Sequence, residues 1–380
     1  MASLLTIKTL AICLFPVLIS ANATSTGYIP LGASCYDSIT PVTVTSANYP
    51  WIAPKWSDNY GLIDFVSLAS SRLDAGFPQP IGPPVNETAS YEIAGTFCTP
   101  KKPGKNAKTV LLATHGLAFD RRQVHKTFFN PVPLKPRQQH ITPSHNPQTR
   151  LSGFTNQLNI QTPILISLAR SLLNGSLPLP PTPPHFGPPN ALILLGHSFG
   201  SFLSNSALAA DPTIASAAIL TSYGLNGLDA RLVLEGISPR IARVQDASKF
   251  ADFDPGYVTT SDVFANINSF FKAPAYEHDV AAFSEANKQP FAISELVSLT
   301  PELLRLDARA FKGPTLVISG EYDHVVCGGY CPGELDASFK DKFADLETYV
   351  QPSAGHGINF ATNTTAFFAK IGGFLEDKGF

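Results

Sequence analysis

Residues 191–200 of the chain are ALILLGHSFG, and residues 201–210 are SFLSNSALAA. The first five residues are all apolar, which predicts a short strand that is buried on both faces. Residues 201–210 predict a helix that ends before Pro212. The turn between them, GHSFG at 196–200, has the pattern G-x-S-x-G. Strand, sharp turn and helix are the context in which this pattern forms a nucleophile elbow, with the hydroxyl of Ser198 exposed at the turn.

Two glycines flank the serine at this turn. Gly196 and Gly200 have no Cβ, so the strand and the helix can approach each other closely on either side of Ser198. The helix begins beside Ser198, and its N-terminus directs its dipole and its free N–H groups towards that side chain. The stretch therefore predicts a reactive serine in a strained turn.

The length and the charge of the chain narrow the class of protein. The chain has 380 residues, of which 15% are charged, and its formal net charge is −2. This balance argues against a nucleic-acid groove and against a polybasic membrane surface. One enlarged α/β domain, or one domain with an inserted cap, fits the length better than several independent domains.

The N-terminal residues have the features of a targeting segment. Lys8 is the only early charge, and residues 9–19 form an apolar run that is too short to span a bilayer. ANA at 21–23 supplies the small residues of a signal-peptidase site. We therefore expect a signal peptide at 1–23, a mature chain that starts near Thr24, and secretion; the alternative is a buried N-terminal helix. The sequons at Asn86, Asn174 and Asn363 predict N-glycosylation.

The cysteines also bear on the compartment. Cys13 lies in the signal segment, and the other four cysteines, Cys35, Cys98, Cys327 and Cys331, allow three pairings. The tight C-x3-C loop favours Cys327–Cys331, which leaves Cys35–Cys98. A zinc site is the alternative, but it lacks a second ligand pair at metal spacing, and an oxidising compartment favours disulfides.

Apolar runs and helical patterns divide the rest of the chain. Strands are predicted at residues 91–99, 109–113, 215–222, 314–320 and 346–350. Residues 24–90 predict an N-terminal extension that lies over the main domain. Residues 224–311 differ from the rest of the chain because helical patterns predominate in them, at 237–250, 261–272, 277–288 and 294–311. They predict a helical cap. The α/β core would then consist of residues 91–223 and 312–380, with a doubly wound and mostly parallel sheet.

The loop after the strand at 109–113 predicts an oxyanion hole. It reads THGL at 114–117, and Gly116 lets the chain turn tightly after His115. An oxyanion hole needs backbone N–H groups aimed at the position where negative charge develops. The N–H of Leu117 would be one donor, and the N–H of Phe199, the residue after the nucleophile, would be the second. His115 would shape this loop.

A serine nucleophile needs a base and an acid, in the chain order serine, acid, histidine. Asp323 follows the strand at 314–320, and His356 follows the strand at 346–350 and precedes the last helix. Each would lie at the carboxyl end of its strand, where ligands bind in open α/β sheets. The competing residues are two acids and three histidines: Glu321, Asp307, His324, His197 and His115.

Residues 128–160 depart from the expected pattern. A doubly wound sheet needs a strand and a helix here, but residues 130–147 contain five prolines and no apolar run. Either the segment is a real divergent loop, or the gene model is wrong between about residues 131 and 159. Sequencing the transcript distinguishes the two.

Taken together, the loop at His115-Gly116, the turn GHSFG, the acid in GEYD (320–323) and the base in GHG (355–357) resemble the α/β-hydrolase superfamily. The signal peptide, Cys98 and the Cys327–Cys331 loop resemble its secreted fungal members.

The resemblance implies a serine hydrolase that acts on carboxylic esters of small molecules, without a metal or an organic cofactor. The charge balance and the short N-terminal apolar run predict that it has no nucleic-acid partner and no stable membrane span. Two alternatives remain open. The same fold and serine could serve a lyase, an acyltransferase or a cyclase that tailors a small natural product. The chain could also be a non-catalytic binding protein.

Overall fold

The structure, a computed structural model, describes residues 10–15, 33–70, 80–100, 108–120, 151–177, 188–225, 228, 230–300 and 306–380. Its centre is an eight-stranded mixed sheet. The strands of this sheet, in chain order, are β1 Leu10–Phe15, β2 Ala33–Asn48, β3 Val85–Pro100, β4 Thr109–Thr114, β5 Ala191–His197, β6 Ala217–Thr221, β10 Pro314–Gly320 and β11 Asp345–Gln351. A second, antiparallel sheet consists of β7 Arg240–Ile241, β8 Tyr257–Thr259 and β9 Phe291–Ala292.

The order across the main sheet is β11-β10-β6-β5-β4-β1-β3-β2. Each neighbouring pair from β11 to β4 is parallel. Parallel strands are covered on both faces, which explains why β4, β5 and β6 are continuous apolar runs with every residue buried. The predicted strands at 109–113, 191–195 and 314–320 coincide with β4, β5 and β10 to within two residues.

Helices cover both faces of the sheet. The helices are α1 Asn59–Ala69, α2 Leu158–Leu173, α3 Phe199–Ala210, α4 Ala230–Ile237, α5 Ala242–Gln245, α6 Ala247–Phe250, α7 Val263–Phe270, α8 His278–Ala286, α9 Ile293–Val297, α10 His324–Cys327, α11 Glu334–Phe339 and α12 Thr364–Asp377, with a 3-10 turn at Ile358–Phe360. Alternate residues of β5 enter different cores, since Leu192 and Leu194 pack with α2 and α3 while Ile193 and Leu195 pack with α12. The chain is therefore a doubly wound α/β protein.

The strand between β3 and β4 comes from the N-terminus of the chain. β1 pairs antiparallel with β3 and parallel with β4. It lies inside the segment predicted to be a signal peptide, whose other residues are outside the described ranges. The region at 128–160 lacks the apolar run for the strand that a doubly wound sheet needs, and β1 occupies a central place in this sheet. Signal-peptide cleavage stays a prediction.

The boundary predicted at residue 91 does not coincide with the edge of the sheet. β2 lies within the predicted extension, yet it pairs antiparallel with β3 from Ala33, opposite Pro100, to Asn48, opposite Val85. The sequence pattern does not indicate this strand, because its Thr, Ser and Val residues alternate over a long two-stranded ribbon without an apolar run. Within the described part of this segment, α1 packs against α4 and β7 of the block at 224–311.

The described residues of the block at 224–311 include six helices, α4 to α9, and differ from the predicted helical patterns in two places. The helix expected over 237–250 is wrong, because Pro239 ends α4 and the Asp246 side chain caps a new helix by accepting from the N–H of Lys249. The helix expected over 294–311 ends at Val297, and residues 301–305 lie outside the described part. The small sheet β7-β8-β9 was not predicted, because its strands have only two or three residues.

Part of the anomalous region at 128–160 folds into the domain. From residue 151 the chain is described, and Phe154 is buried between the rings of Trp51 and Trp56 at centroid distances of 5.0 and 4.9 Å. A Cβ on Gly153 would lie 2.2 Å from the carbonyl carbon of Gly256, so the backbones touch there. Residues 121–150 lie outside the described ranges. Among the described helices, none has the length and apolar character to cross a bilayer.

Candidate active site

Ser198 lies at a strained turn between β5 and α3. Its backbone has φ 53° and ψ −120°, a conformation that costs of the order of 1–3 kcal/mol for a residue other than glycine. The turn is fixed by a hydrogen bond of 2.8 Å from the N–H of Ser198 to the carbonyl oxygen of Thr221 in β6. The side chain is half-buried. The geometry is that of the elbow predicted from the pattern at 196–200.

The two glycines of this turn have no space for a side chain. A Cβ on Gly196 would lie 2.5 Å from the carbonyl oxygen of Gly200, and a Cβ on Gly200 would lie 2.4 Å from the carbonyl oxygen of Thr114. β4, β5 and α3 therefore meet backbone to backbone. This close approach is the physical reason for both glycines.

The structure brings Asp323 and His356 to Ser198. The Nε2 of His356 lies 2.7 Å from the Oγ of Ser198, and its Nδ1 lies 2.9 and 2.8 Å from the two carboxylate oxygens of Asp323. Both side chains are buried. Since Asp323 accepts from Nδ1–H, Nε2 is the nitrogen that can accept the serine proton.

Two parallel neighbours carry this pair. Asp323 follows β10 and His356 follows β11, and the two loops are joined by a bond of 2.9 Å from the N–H of Tyr322 to the carbonyl oxygen of Ala354. Gly320, at the end of β10, touches the second loop, because a Cβ there would lie 2.4 Å from the carbonyl oxygen of Gly355.

The competing acids have other partners. The Oε2 of Glu321 accepts from the N–H of Ser353 at 2.7 Å, so it braces the histidine loop from the surface. Asp307 is exposed and pairs with Arg309 at 3.0 Å. Neither carboxylate occupies the place that Asp323 has beside Nδ1 of His356.

Of the competing histidines, His324 is exposed, and His197 is buried behind the elbow. The Nδ1 of His197 donates to Thr221 Oγ1 at 3.0 Å, because that hydroxyl gives its own proton to Gly196 O at 2.9 Å. Burial, and then the nearby imidazoles of His356 and His115, hold the pKa of His197 well below its usual range. His197 is thus a neutral neighbour, with its ring centroid 5.7 Å from that of His356.

The loop predicted to form the oxyanion hole runs past the serine. A Cβ on Gly116 would lie 2.9 Å from the Cβ of Ser198, so Leu117 follows at a point directly beside the elbow. The next residue, Ala118, has φ 64°, which turns the chain sharply. The Nδ1 of His115 lies 2.7 Å from the carbonyl oxygen of Gly116 and supports this turn.

Sequence reasoning missed two residues that hold the histidine. The Oγ of Ser222 donates to the carbonyl oxygen of His356 at 2.7 Å, and Ser222 has a positive φ of 48°. The ring of Phe270 stacks on the imidazole with centroids 5.8 Å apart. Ser222 directly follows β6, so its place at the carboxyl end of a parallel strand could have indicated a position near the site. Nothing in the sequence pattern of α7 indicates a contact with His356.

The cysteines form two pairs at disulfide distance, Cys35–Cys98 and Cys327–Cys331, with Cα–Cα distances of 4.1 and 5.2 Å. The first joins directly opposed residues of β2 and β3. The second closes the loop after Asp323, where the N–H of Cys331 also donates to the carbonyl oxygen of Glu321 at 2.8 Å. The zinc alternative is overturned, because each cysteine has another cysteine as its partner.

Within the described part of the chain, no three or more His, Cys, Asp and Glu side chains are arranged to hold a metal ion. Of the three sequons, Asn86 and Asn174 are exposed. Asn363 is half-buried, and its amide donates to the carbonyl oxygen of Pro352 at 2.8 Å.

Comparison with solved structures found similar folds. The chain is similar to an α/β hydrolase fold protein from Chitinophaga pinensis (TM-score 0.34, 16% identity, 49% of this chain and 65% of that one), so it spans about two thirds of that protein. It is also similar to a monoacylglycerol lipase from Paleococcus ferrophilus, with a TM-score of 0.46 and 14% identity over 71% of this chain and 95% of that one. A methylesterase from Arabidopsis is similar with a TM-score of 0.41 and 16% identity over 69% of this chain and 96% of that one. No family model and no curated protein matched the sequence.

The chain's own architecture carries the assignment of its fold. Five parallel neighbours form the centre of the sheet, helices cover both faces, and the G-x-S-x-G turn joins β5 to α3. Ser198, Asp323 and His356 follow one another in the chain at the carboxyl ends of three of these strands. These features give the chain the α/β-hydrolase fold.

Proposed function

We propose that the protein is a secreted serine hydrolase that cleaves carboxylic esters through an acyl-enzyme. The observation that carries the proposal is the pair of contacts at His356, with Nε2 at 2.7 Å from Ser198 Oγ and Nδ1 within 2.9 Å of the Asp323 carboxylate. The base is thus within hydrogen-bond reach of both the nucleophile and the orienting acid.

In the first half of the reaction, Nε2 of His356 takes the proton of the Ser198 hydroxyl while Oγ attacks the ester carbonyl. The carbonyl oxygen becomes an oxyanion, and the N–H groups of Leu117 and Phe199 donate to it. When the tetrahedral intermediate collapses, the bond to the alcohol oxygen breaks. His356 returns its proton to that oxygen, and the alcohol leaves Ser198 acylated.

The second half repeats these steps with water. His356 takes a proton from the water, the resulting hydroxide attacks the acyl carbonyl, and Ser198 Oγ leaves with the proton that His356 returns. The products are a carboxylic acid, an alcohol and the free serine. Throughout, Asp323 keeps the imidazole in one tautomer and stabilises its protonated form.

Two observations support the proposed secretion. Both cysteine pairs are at disulfide distance, and such bonds persist in oxidising compartments. Two sequon asparagines, Asn86 and Asn174, have exposed side chains that a glycan could reach. Expression in a eukaryotic secretion host tests both points: we expect the protein in the medium, with a mass that falls after glycosidase treatment.

The reactive serine is tested by labelling the purified protein with a fluorophosphonate. We expect the wild type to be labelled and Ser198→Ala to remain unlabelled, with kcat for an activated ester lower by roughly 10³-fold or more. Ser201→Ala is the matched control, because Ser201 lies one turn on in α3 and its hydroxyl donates to Thr221 O. Equal labelling of wild type and Ser198→Ala would overturn the assignment, and no labelling of either would favour a binding protein.

The reaction outcome needs a separate assay. Products from an acyl donor are compared with and without an added alcohol or amine acceptor. Hydrolysis predicts the free acid as the main product in both cases. A dominant transfer product would show an acyltransferase instead, and an intramolecular ester would show a cyclase.

A further inference from the structure

The block at 224–311 reaches the catalytic histidine through the end of α7. This helix begins after Asp262, whose side chain accepts from the N–H groups of Phe264 and Ala265, and it ends at Phe270. Phe270 is only 7% exposed. Its ring stacks on the imidazole of His356, with centroids 5.8 Å apart and an angle of 28° between the planes.

The backbone of Phe270 is hydrogen-bonded to the loop that carries His356. Its carbonyl oxygen accepts a hydrogen bond from the N–H of Gly357, the residue after the histidine. A Cβ on Gly357 would lie 2.9 Å from that oxygen, and a Cβ on Gly355 would lie 2.9 Å from the carbonyl carbon of Phe271. Because the residues on both sides of His356 are glycines, the backbone at the end of α7 can contact the backbone of this loop directly.

The ring of Phe270 is itself held in place. Phe119, just beyond the predicted oxyanion loop, meets it edge-on with centroids 5.6 Å apart. Phe119 also packs against Phe360, whose centroid lies 5.7 Å away in the 3-10 turn that follows His356. In addition, α7 contacts α10, which begins directly after Asp323. The end of α7 is thus joined to the elements that carry the base, the acid and the oxyanion loop.

We propose that Phe270 is a positioning residue for His356, and that the end of α7 is a fixed wall of the active site. This inference rests on the proposed function. Rotation about the Cβ–Cγ bond would tilt the imidazole and misalign the hydrogen bonds at Nδ1 and Nε2. The face of Phe270 opposes this tilt, and its carbonyl fixes the backbone from which the imidazole extends. Phe270 acts through His356.

The test compares Phe270→Ala and Phe270→Leu with Phe264→Ala, a control on the same helix whose side chain is 74% exposed. Active sites are counted by fluorophosphonate labelling, so kcat is expressed per reactive serine and misfolded protein does not enter it. We expect Phe270→Ala to lower kcat by about 10–100-fold with KM changed less than about twofold, as a misplaced base would. Phe270→Leu, which keeps packing but not a flat ring, should be intermediate, and Phe264→Ala should match the wild type.

A second readout follows the imidazole directly. The low-field proton resonance of the His356 Nδ1–H, identified by its loss in Asp323→Asn, should shift or broaden in Phe270→Ala and stay in place in Phe264→Ala. Wild-type kcat per labelled site in both Phe270 variants would overturn the inference. If Phe270→Ala does not fold, wild-type kcat in Phe270→Leu is sufficient to overturn it. A wild type without labelling or esterase activity would instead refute the proposed function.

Discussion

Both oxygens of the Asp323 carboxylate lie within 2.9 Å of Nδ1 of His356. The same carboxylate also caps α10, because Oδ1 accepts from the N–H groups of Val325 and Val326 at 2.9 and 3.1 Å. One side chain therefore orients the base and begins the helix that follows it.

These two roles can be separated by Asp323→Asn. Asparagine keeps one oxygen that can accept from the N–H groups at the start of α10. Its second group is an NH₂, which donates and cannot accept from Nδ1–H as the second carboxylate oxygen does. We expect kcat to fall by about 10⁴-fold with little change in the melting temperature. Asp307→Asn, at the exposed competing acid, is the control and should keep full activity. A Asp323→Asn variant with near wild-type kcat would exclude Asp323 as the orienting acid.

The backbone contacts at the elbow predict a large difference between two glycine substitutions. A Cβ on Gly200 would meet the carbonyl oxygen of Thr114 at 2.4 Å, so Gly200→Ala must displace α3 from β4. We expect it to lower the free energy of unfolding by about 1–3 kcal/mol or more, and to reduce activity. Urea denaturation, followed by circular dichroism, measures the first effect.

Gly373 in α12 is the matched control, because a Cβ there has no atom within 4 Å. Gly373→Ala should raise the free energy of unfolding by about 0.5–1 kcal/mol, since glycine in a helix interior is less favourable than alanine. Destabilisation of the same size in both variants would contradict the contact at Gly200.

The buried carboxyl of Glu295 predicts a pH-dependent stability. Burial raises its pKa from 4.5 to about 7, although the backbone of Ala292 and the amides of Gln161 and Asn156 donate to it. Below pH 4.5 the group is protonated in the folded and the unfolded chain. As pH rises towards 7 the unfolded chain loses its proton first, so this group lowers the free energy of unfolding by up to about 3 kcal/mol.

The measurement is the free energy of unfolding in urea from pH 4.5 to 8, for the wild type and Glu295→Gln. The difference between the two proteins isolates this carboxyl, because the other titrating groups are shared. We expect the curve of the variant to fall less steeply between pH 4.5 and 7. Parallel curves would show that Glu295 titrates alike in both states.

β1 predicts an effect of the first 23 residues on stability. Leu10–Phe15 pairs with β3 on one side and with β4 on the other. A chain that begins at Thr24 lacks these hydrogen bonds, so we expect it to unfold at a lower urea concentration than the full chain made in an oxidising cytosol. Equal midpoints would show that the segment serves only for targeting, and N-terminal sequencing of the secreted protein would locate the cleavage site.

Sequence reasoning was most successful where one local pattern determines the structure. The apolar runs at 191–195 and 314–320 indicated buried parallel strands, and the glycines of GHSFG indicated the close approach at Ser198. Asp323 and His356 followed from their places after two strands, because the ends of parallel strands meet at one edge of the sheet. In the structure, the imidazole of His356 is within hydrogen-bond reach of both Ser198 and Asp323.

Long-range contacts were beyond this reasoning. The pairing of β2 with β3 joins residues that are far apart in the chain, from 37 positions for Asn48 and Val85 to 67 positions for Ala33 and Pro100, and the polar alternation of β2 resembles a loop. The stack of Phe270 on His356 joins α7 to the loop after β11, and no periodicity in either segment encodes it. The proline-rich segment at 128–160 indicated that an expected strand is missing there, but no pattern indicated that β1 lies between β3 and β4, because an apolar run does not itself specify its pairing partner.

The junction of Trp51, Trp56 and Phe154 has a spectroscopic consequence. The chain has two tryptophans, and both lie here, with ring centroids 5.6 Å apart. The indole N–H of Trp56 donates to the carbonyl oxygen of Pro255 at 2.7 Å, which joins the N-terminal part to the inserted block. Intrinsic fluorescence of this protein therefore reports the docking of those two parts, and a change at Ser198 can leave the emission spectrum unaltered.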